Sequence, residues 1–81
     1  MNESNFSAGT VRRIMAEVFR LSEDEINANT STENVDAWDS IGHLNLILSL
    51  EDELRVRFTT DEIVGMKSYR SILQVANLKI K

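Results

Sequence analysis

The chain has 81 residues, with 13 acidic against 9 basic side chains for a formal charge of −4, a single histidine, no proline and no cysteine. A chain this short makes one domain and buries only about 60% of the surface its unfolded form exposes, which leaves little room for a deep active site beside a core. The absent cysteine excludes disulfides, thiolate zinc sites and cysteine nucleophiles; a lone histidine does not furnish a histidine metal centre; and the acid excess argues against nucleic acid and anionic membranes, both of which recruit Lys and Arg, and for protein partners with basic patches.

The opening "MNESNFSAGT" contains an acid and no apolar stretch, so it does not read as a signal peptide. The apolar run "IGHLNLILSL" is about half the length of a membrane span. A cytoplasmic, monomeric, single-domain protein over residues 1–81 is expected. The first helix is predicted over residues 10–21, "TVRRIMAEVFRL", where Val11, Ile14, Met15 and Val18 fall at i, i+3, i+4 and i+7 on one face. Thr10 is its expected N-cap. A connection over residues 21–38 follows, long for a compact domain. Two capping-box patterns lie in it, Ser22 with Glu25 and Thr30 with Glu33, suggesting short helical turns. Ile26, Val35 and Trp38 are its expected anchors into the core.

The second helix is predicted over residues 40–56, "SIGHLNLILSLEDELRV". Ile41, Leu44 and Leu48 on one side, with Leu46, Ile47, Leu50 and Leu54 on another, make it apolar over most of its girth, the pattern of a central helix contacted on several sides. Val56 and Phe58 then alternate in an extended connection. Thr59 with Glu62 forms a further capping box before a short helical turn that ends at Gly65. The last helix is predicted over residues 68–80, with Tyr69, Ile72, Leu73, Ala76 and Ile80 on its buried stripe and Lys79 and Lys81 at the negative pole of its dipole. The fold class expected is all-α: a small four-helix bundle of three main helices and one short one, with a long loop between the first and second helices. Leu44, Leu48, Phe58, Ile63, Met66 and Tyr69 read as core.

The junction "WDSIGH" carries the chemical interest. From local pattern Asp39 reads first as an N-cap and Ser40 as the opening residue of a core helix. A hydroxyl there is held at the surface beside unpaired backbone amides and the positive pole of the dipole, a favourable place for a phosphate or phosphodiester. A nucleophilic pair of Ser40 with His43 lacks an orienting acid and an oxyanion site, because Asp39 is engaged in capping.

The segment "WDSIGHLNLILSLEDEL" resembles the attachment motif of the acyl carrier and peptidyl carrier protein family: an Asp-Ser-Leu/Ile triplet, an apolar helix, then an acidic stretch. The order of helices, the long first loop, the length and the acidity are similar along the whole chain. The resemblance implies that a phosphopantetheinyl transferase links 4′-phosphopantetheine from coenzyme A to Ser40, with Asp39 recognised by the transferase as well as capping the helix. It implies a free-standing carrier rather than an enzyme, holding cargo as a thioester and presenting it to acyl- or aminoacyl-loading and processing enzymes. The working thiol then belongs to the prosthetic group, consistent with the missing cysteine. Ile41, His43, Leu44, Asn45, Glu51, Asp61 and Glu62 are the implied partner-binding residues, and in some members the cleft between the second and third helices admits an acyl chain. Fatty-acid-synthesis carriers often place acids where this chain has Gly42 and Asn45, so a nearly neutral recognition surface and a specialised pathway are expected. The alternatives are a peptidyl or aminoacyl carrier, or an unmodified helical adaptor that binds a basic partner.

Overall fold

The computed structural model describes residues 8–79. Its helices are α1 (Ala8–Phe19), α2 (Ser40–Leu54), α3 (Thr60–Gly65) and α4 (Tyr69–Lys79), with a 3₁₀ turn at Glu23–Glu25 in the long connection. The architecture is all-α, as the periodicity predicts. Packing follows from the apolar faces: α1 lies against α2 and, less extensively, against the 3₁₀ turn and α4. Val11, Ile14 and Met15 of α1 interleave in the core with Leu46, Ile47, Leu50 and Leu54 of α2, and Ile72 and Ala76 of α4 close it.

Several helix ends differ from the expectation. α1 begins at Ala8, so Thr10 stands inside its first turn rather than at the cap. α2 ends at Leu54 because Arg55 turns into the left-handed region, φ 58°. α3 does end at Gly65, but that glycine has no positive φ, and the cap residue is Met66. Ile80 and Lys81 lie outside the described residues.

The long connection is held by its own polar groups and by three apolar anchors. The Ser22–Glu25 pairing forms, with the Glu25 carboxylate accepting from the Ser22 amide at 3.0 Å. The Thr30–Glu33 pairing does not. Thr30 is buried, and its Oγ1 accepts from the Asn27 amide at 2.9 Å and donates to the Glu25 carbonyl at 3.1 Å, which closes the preceding turn. Ser31 takes over the local role, its Oγ accepting from the Glu33 amide at 3.2 Å. The loop is then stitched to the α3–α4 junction by an antiparallel bridge between Ser31 and Ser68, with Thr32 N–H on the Lys67 carbonyl and Tyr69 N–H on the Thr30 carbonyl. Ile26, Val35 and Trp38 are all buried, as predicted. Backbone groups that a helix would satisfy internally are met here by short turns such as Thr30 N–H on the Asn27 carbonyl and Trp38 N–H on the Val35 carbonyl, by side chains and by the cross-link to the α3–α4 junction, which is why so long a loop can lie in a fixed path.

Candidate functional site

The loop delivers Trp38 into the core and turns out to Asp39 and Ser40, both exposed. Asp39 has extended backbone, and its Oδ1 accepts from the Gly42 amide at 2.8 Å. The Asp39 carbonyl accepts the first intrahelical bond of α2, from His43 N–H at 2.8 Å. This is the N-cap the sequence predicts. It satisfies one of the orphan amides of the first turn and leaves those of Ser40 and Ile41 without partners among the described residues. The Ser40 hydroxyl makes no hydrogen bond to the described residues either. The first turn thus presents a free hydroxyl, two unpaired donors and the positive end of a fifteen-residue helix in one exposed place.

Gly42 fixes how tightly this turn sits on the protein. A Cβ at that position would collide with the Ala37 carbonyl oxygen and lie 3.3 Å from Cε1 of Phe19. The glycine is buried against the loop and is no part of the outer face. The reading of Gly42 as an acid lost from the outer face is therefore corrected, since a side chain there would be directed into backbone; the exposed residues of that face, Ile41, Leu44, Asn45 and Leu48, carry no charge.

His43 is the second correction. Rather than facing partners, its ring is half-buried and bonded at both nitrogens. Trp38 Nε1–H donates to Nδ1 at 2.9 Å, and Nε2 meets the Ile63 carbonyl at 2.8 Å. Because an indole N–H can only donate and a carbonyl can only accept, the His43 proton sits on Nε2 and Nδ1 carries the lone pair. The indole also packs on the Phe19 ring, 5.1 Å between centroids, and runs nearly parallel to the imidazole at 6.3 Å. Loop, α2 and α3 are thereby joined through one imidazole, a turn below Ser40. Neither nitrogen is available to take a proton from Ser40, so a Ser–His nucleophilic pair is absent.

Ile41, Leu44 and Leu48 stand 67%, 55% and 55% exposed, an apolar stripe at helical spacing running down α2 from Ser40, and Val64 of α3 is 62% exposed. Leu44 and Leu48 are thus not core residues. The helix is apolar all round, but in a bundle this small no element covers this side. Phe58, Met66 and Tyr69 are buried as expected, and Ile63 is only partly so.

Of the acids, Asp61 is exposed, while Glu51 and Glu62 have structural duties. Glu51 Oε2 accepts from the Phe58 amide at 2.9 Å and holds the α2–α3 connection. Glu62 accepts from the Thr59 amide at 2.8 Å, completing the predicted capping box, and pairs with Lys79 Nζ of α4 at 3.0 Å. The Thr59 amide first, and Lys79 second, hold the Glu62 carboxyl below its ordinary range. Asn45 is exposed beside the apolar stripe. No group of three or more His, Asp or Glu side chains among the described residues is arranged to hold a metal, and no helix among them is long and apolar enough to cross a membrane.

Residues 9–78 match the family profile described as PP-binding, phosphopantetheine attachment site. The chain belongs to this phosphopantetheine-attachment family. Among solved structures it is similar to the holo acyl carrier protein of Geobacter metallireducens, determined in solution by NMR, with 29% identity, a TM-score of 0.79, and coverage of 89% of this chain and 83% of that one. No curated protein matches the chain. The chain is a carrier and not an enzyme, its prosthetic group is covalently attached 4′-phosphopantetheine, and a phosphopantetheinyl transferase and biosynthetic enzymes are the classes of protein it works with. The residues at the head of α2 fit such a group: a phosphodiester needs an exposed hydroxyl with open space around it and tolerates nearby amide donors, and Ser40 offers all three.

Proposed function

We propose that Ser40 is the attachment residue and that the protein is a cytoplasmic, monomeric acyl carrier formed by the chain as one domain. The observation that carries this is the exposed Ser40 at the capped N-terminus of α2, its hydroxyl without a hydrogen bond to the described residues. When bound, the prosthetic group supplies a terminal thiol that holds cargo as a thioester. The chain's own residues do the rest. Asp39 fixes the first turn by capping it through Oδ1, and as an exposed residue it is open to the transferase. The unpaired amides of Ser40 and Ile41 offer hydrogen bonds to phosphodiester oxygens. Ile41, Leu44, Asn45 and Leu48 form the surface on which loading and processing enzymes dock, with the exposed Asp61 of α3 a further contact for a basic partner. Acyl rather than peptidyl cargo is favoured by the likeness to a holo acyl carrier protein.

The test is to incubate purified protein with coenzyme A and a promiscuous phosphopantetheinyl transferase and to weigh it intact. The expected result is a single addition of one phosphopantetheine, absent in Ser40→Ala. No addition to the unaltered protein would favour an unmodified helical adaptor, and an addition that persists in Ser40→Ala would place the attachment elsewhere.

A further inference from the structure

The strut from Trp38 through His43 to Ile63 bears on where cargo can go once Ser40 is loaded. α3 is a six-residue helix, held to its neighbours at three points. Glu62 pairs with Lys79 on α4. Met66, just past the end of α3, is fully buried in the same core as Leu46 and Leu50. The Ile63 carbonyl receives His43 Nε2 at 2.8 Å, a shorter bond than the 3.3 Å one it accepts from Met66 N–H. Parting α3 from α2 at the Ser40 end would leave the imidazole donor unpaired and break its alignment with the indole, and it would lift Met66 out of a filled core. Close-packed interiors do not yield by degrees, so the path stays shut while the His43–Ile63 bond holds, and with that bond gone Met66 is the remaining obstacle at this end.

Outside the strut the surface differs. A shallow open groove begins at Ser40 and is lined by Trp38, His43, Ile63, Val64 and Lys67. Its lining mixes the aliphatic side chains of Ile63 and Val64 and the edge of the nearly buried Trp38 with the charged Lys67 and Glu33. A mixed lining of this kind suits a chain of amides and a short or polar acyl group better than a long alkyl tail. Whatever is tethered to Ser40 starts at the mouth of this groove.

We propose that His43 is a latch closing the Ser40 end of the space between α2 and α3, and that the loaded arm lies in the outer groove along Trp38, Ile63 and Val64 with its cargo outside the core. This rests on Ser40 being the attachment residue. The latch makes the carrier indifferent to chain length: its cargo is presented, not stored.

The experiment loads the protein with acetyl- and with octanoyl-phosphopantetheine from the corresponding coenzyme A thioesters, verifies each by intact mass, and compares melting temperatures. Burying even one methylene of the longer chain would raise Tm by roughly 3–6 °C in a domain of this size. The expected result is that the octanoyl and acetyl forms of the unaltered protein melt within about 2 °C of each other, and that His43→Ala, with the latch removed, gains stability from the octanoyl chain. NMR contacts from a ¹³C-labelled octanoyl group supply a second reading that needs no variant: to Val64 and Trp38 if the proposal holds, to Met66, Leu46 and Leu50 if it fails. A chain-length-dependent rise in the unaltered protein, or contacts to Met66, would overturn the latch while leaving the attachment site intact. Failure to load at all would instead count against Ser40.

Discussion

Gly42→Ala sets two effects of opposite sign against each other. On helix propensity alone, alanine in the first turn of α2 should stabilise it by at most the roughly 0.5–1 kcal/mol seen in helix interiors, because glycine loses more backbone freedom on folding. The packing around Gly42 says otherwise. The new methyl would be driven into the Ala37 carbonyl, which is backbone and cannot swing aside, and would come within 3.3 Å of the Phe19 ring. Overpacking of this kind costs about 1–3 kcal/mol. Because the obstacle is backbone, the upper part of that range applies, about 2–3 kcal/mol, and the balance is a net loss of about 1–2.5 kcal/mol, a fall in Tm of roughly 4–20 °C for a domain of this length. The segment forced to move, residues 37–42, is the one that carries Ser40, so loading by the transferase should slow as well. Thermal unfolding followed by circular dichroism gives the first quantity, and the time course of intact mass gives the second. A Gly42→Ala protein that melts at or above the unaltered temperature would refute the close approach of α2 to the loop.

Three further outcomes are expected. Asp39→Ala should lose the N-cap, worth about 1 kcal/mol or roughly 4–8 °C in Tm, while Asp39→Asn should keep most of that stability because its amide oxygen caps as well; if the transferase recognises the charge, both should load slowly, and normal loading of the Asn variant would limit Asp39 to capping. Leu44→Asp should leave stability within about 0.5 kcal/mol, since the side chain is exposed, yet cut capture by a docking enzyme about tenfold; a large fall in Tm would mean that Leu44 belongs to the core after all. Glu62 has a folded-state pKa below its ordinary value of 4.5, so its contribution is present above that value and lost as the pH falls through the depressed one. Glu62→Gln should therefore melt lower than the unaltered protein at neutral pH, and the two melting temperatures should converge in acid; a gap that stays constant with pH would remove the carboxylate from the account.

What the sequence makes legible here is whatever repeats along one element or closes within a few residues. The apolar spacing of α1 and α4, the Asp39 cap and the capping boxes of Ser22 with Glu25 and Thr59 with Glu62 are local events, and they form as expected. The anchors Ile26, Val35 and Trp38 stand out as large apolar residues in a polar loop. The misses are tertiary. His43 meets a carbonyl twenty residues away, and a carbonyl has no side-chain signature to read. Leu44 and Leu48 look like core because α2 is apolar throughout, and only the number of neighbours available to it decides which side stays bare. Thr30 has the right partner spacing for a cap, but its burial directs its hydroxyl back to Glu25 instead. Phe19, buried in the last turn of α1, falls outside the predicted face of Val11, Ile14, Met15 and Val18, and its ring contact with Trp38 leaves no mark in the sequence. Gly42 could be read as a missing acid; its true reason, the proximity of Ala37, lies in how the loop returns.

The most direct measurement is peptide mapping by mass spectrometry of the protein isolated from the cells that make it. The peptide containing Asp39-Ser40-Ile41 should carry 4′-phosphopantetheine on the serine oxygen, with or without an acyl group on the terminal thiol. Consistent recovery of that peptide unmodified, or of the group on a different serine, would contradict the role given to the head of α2.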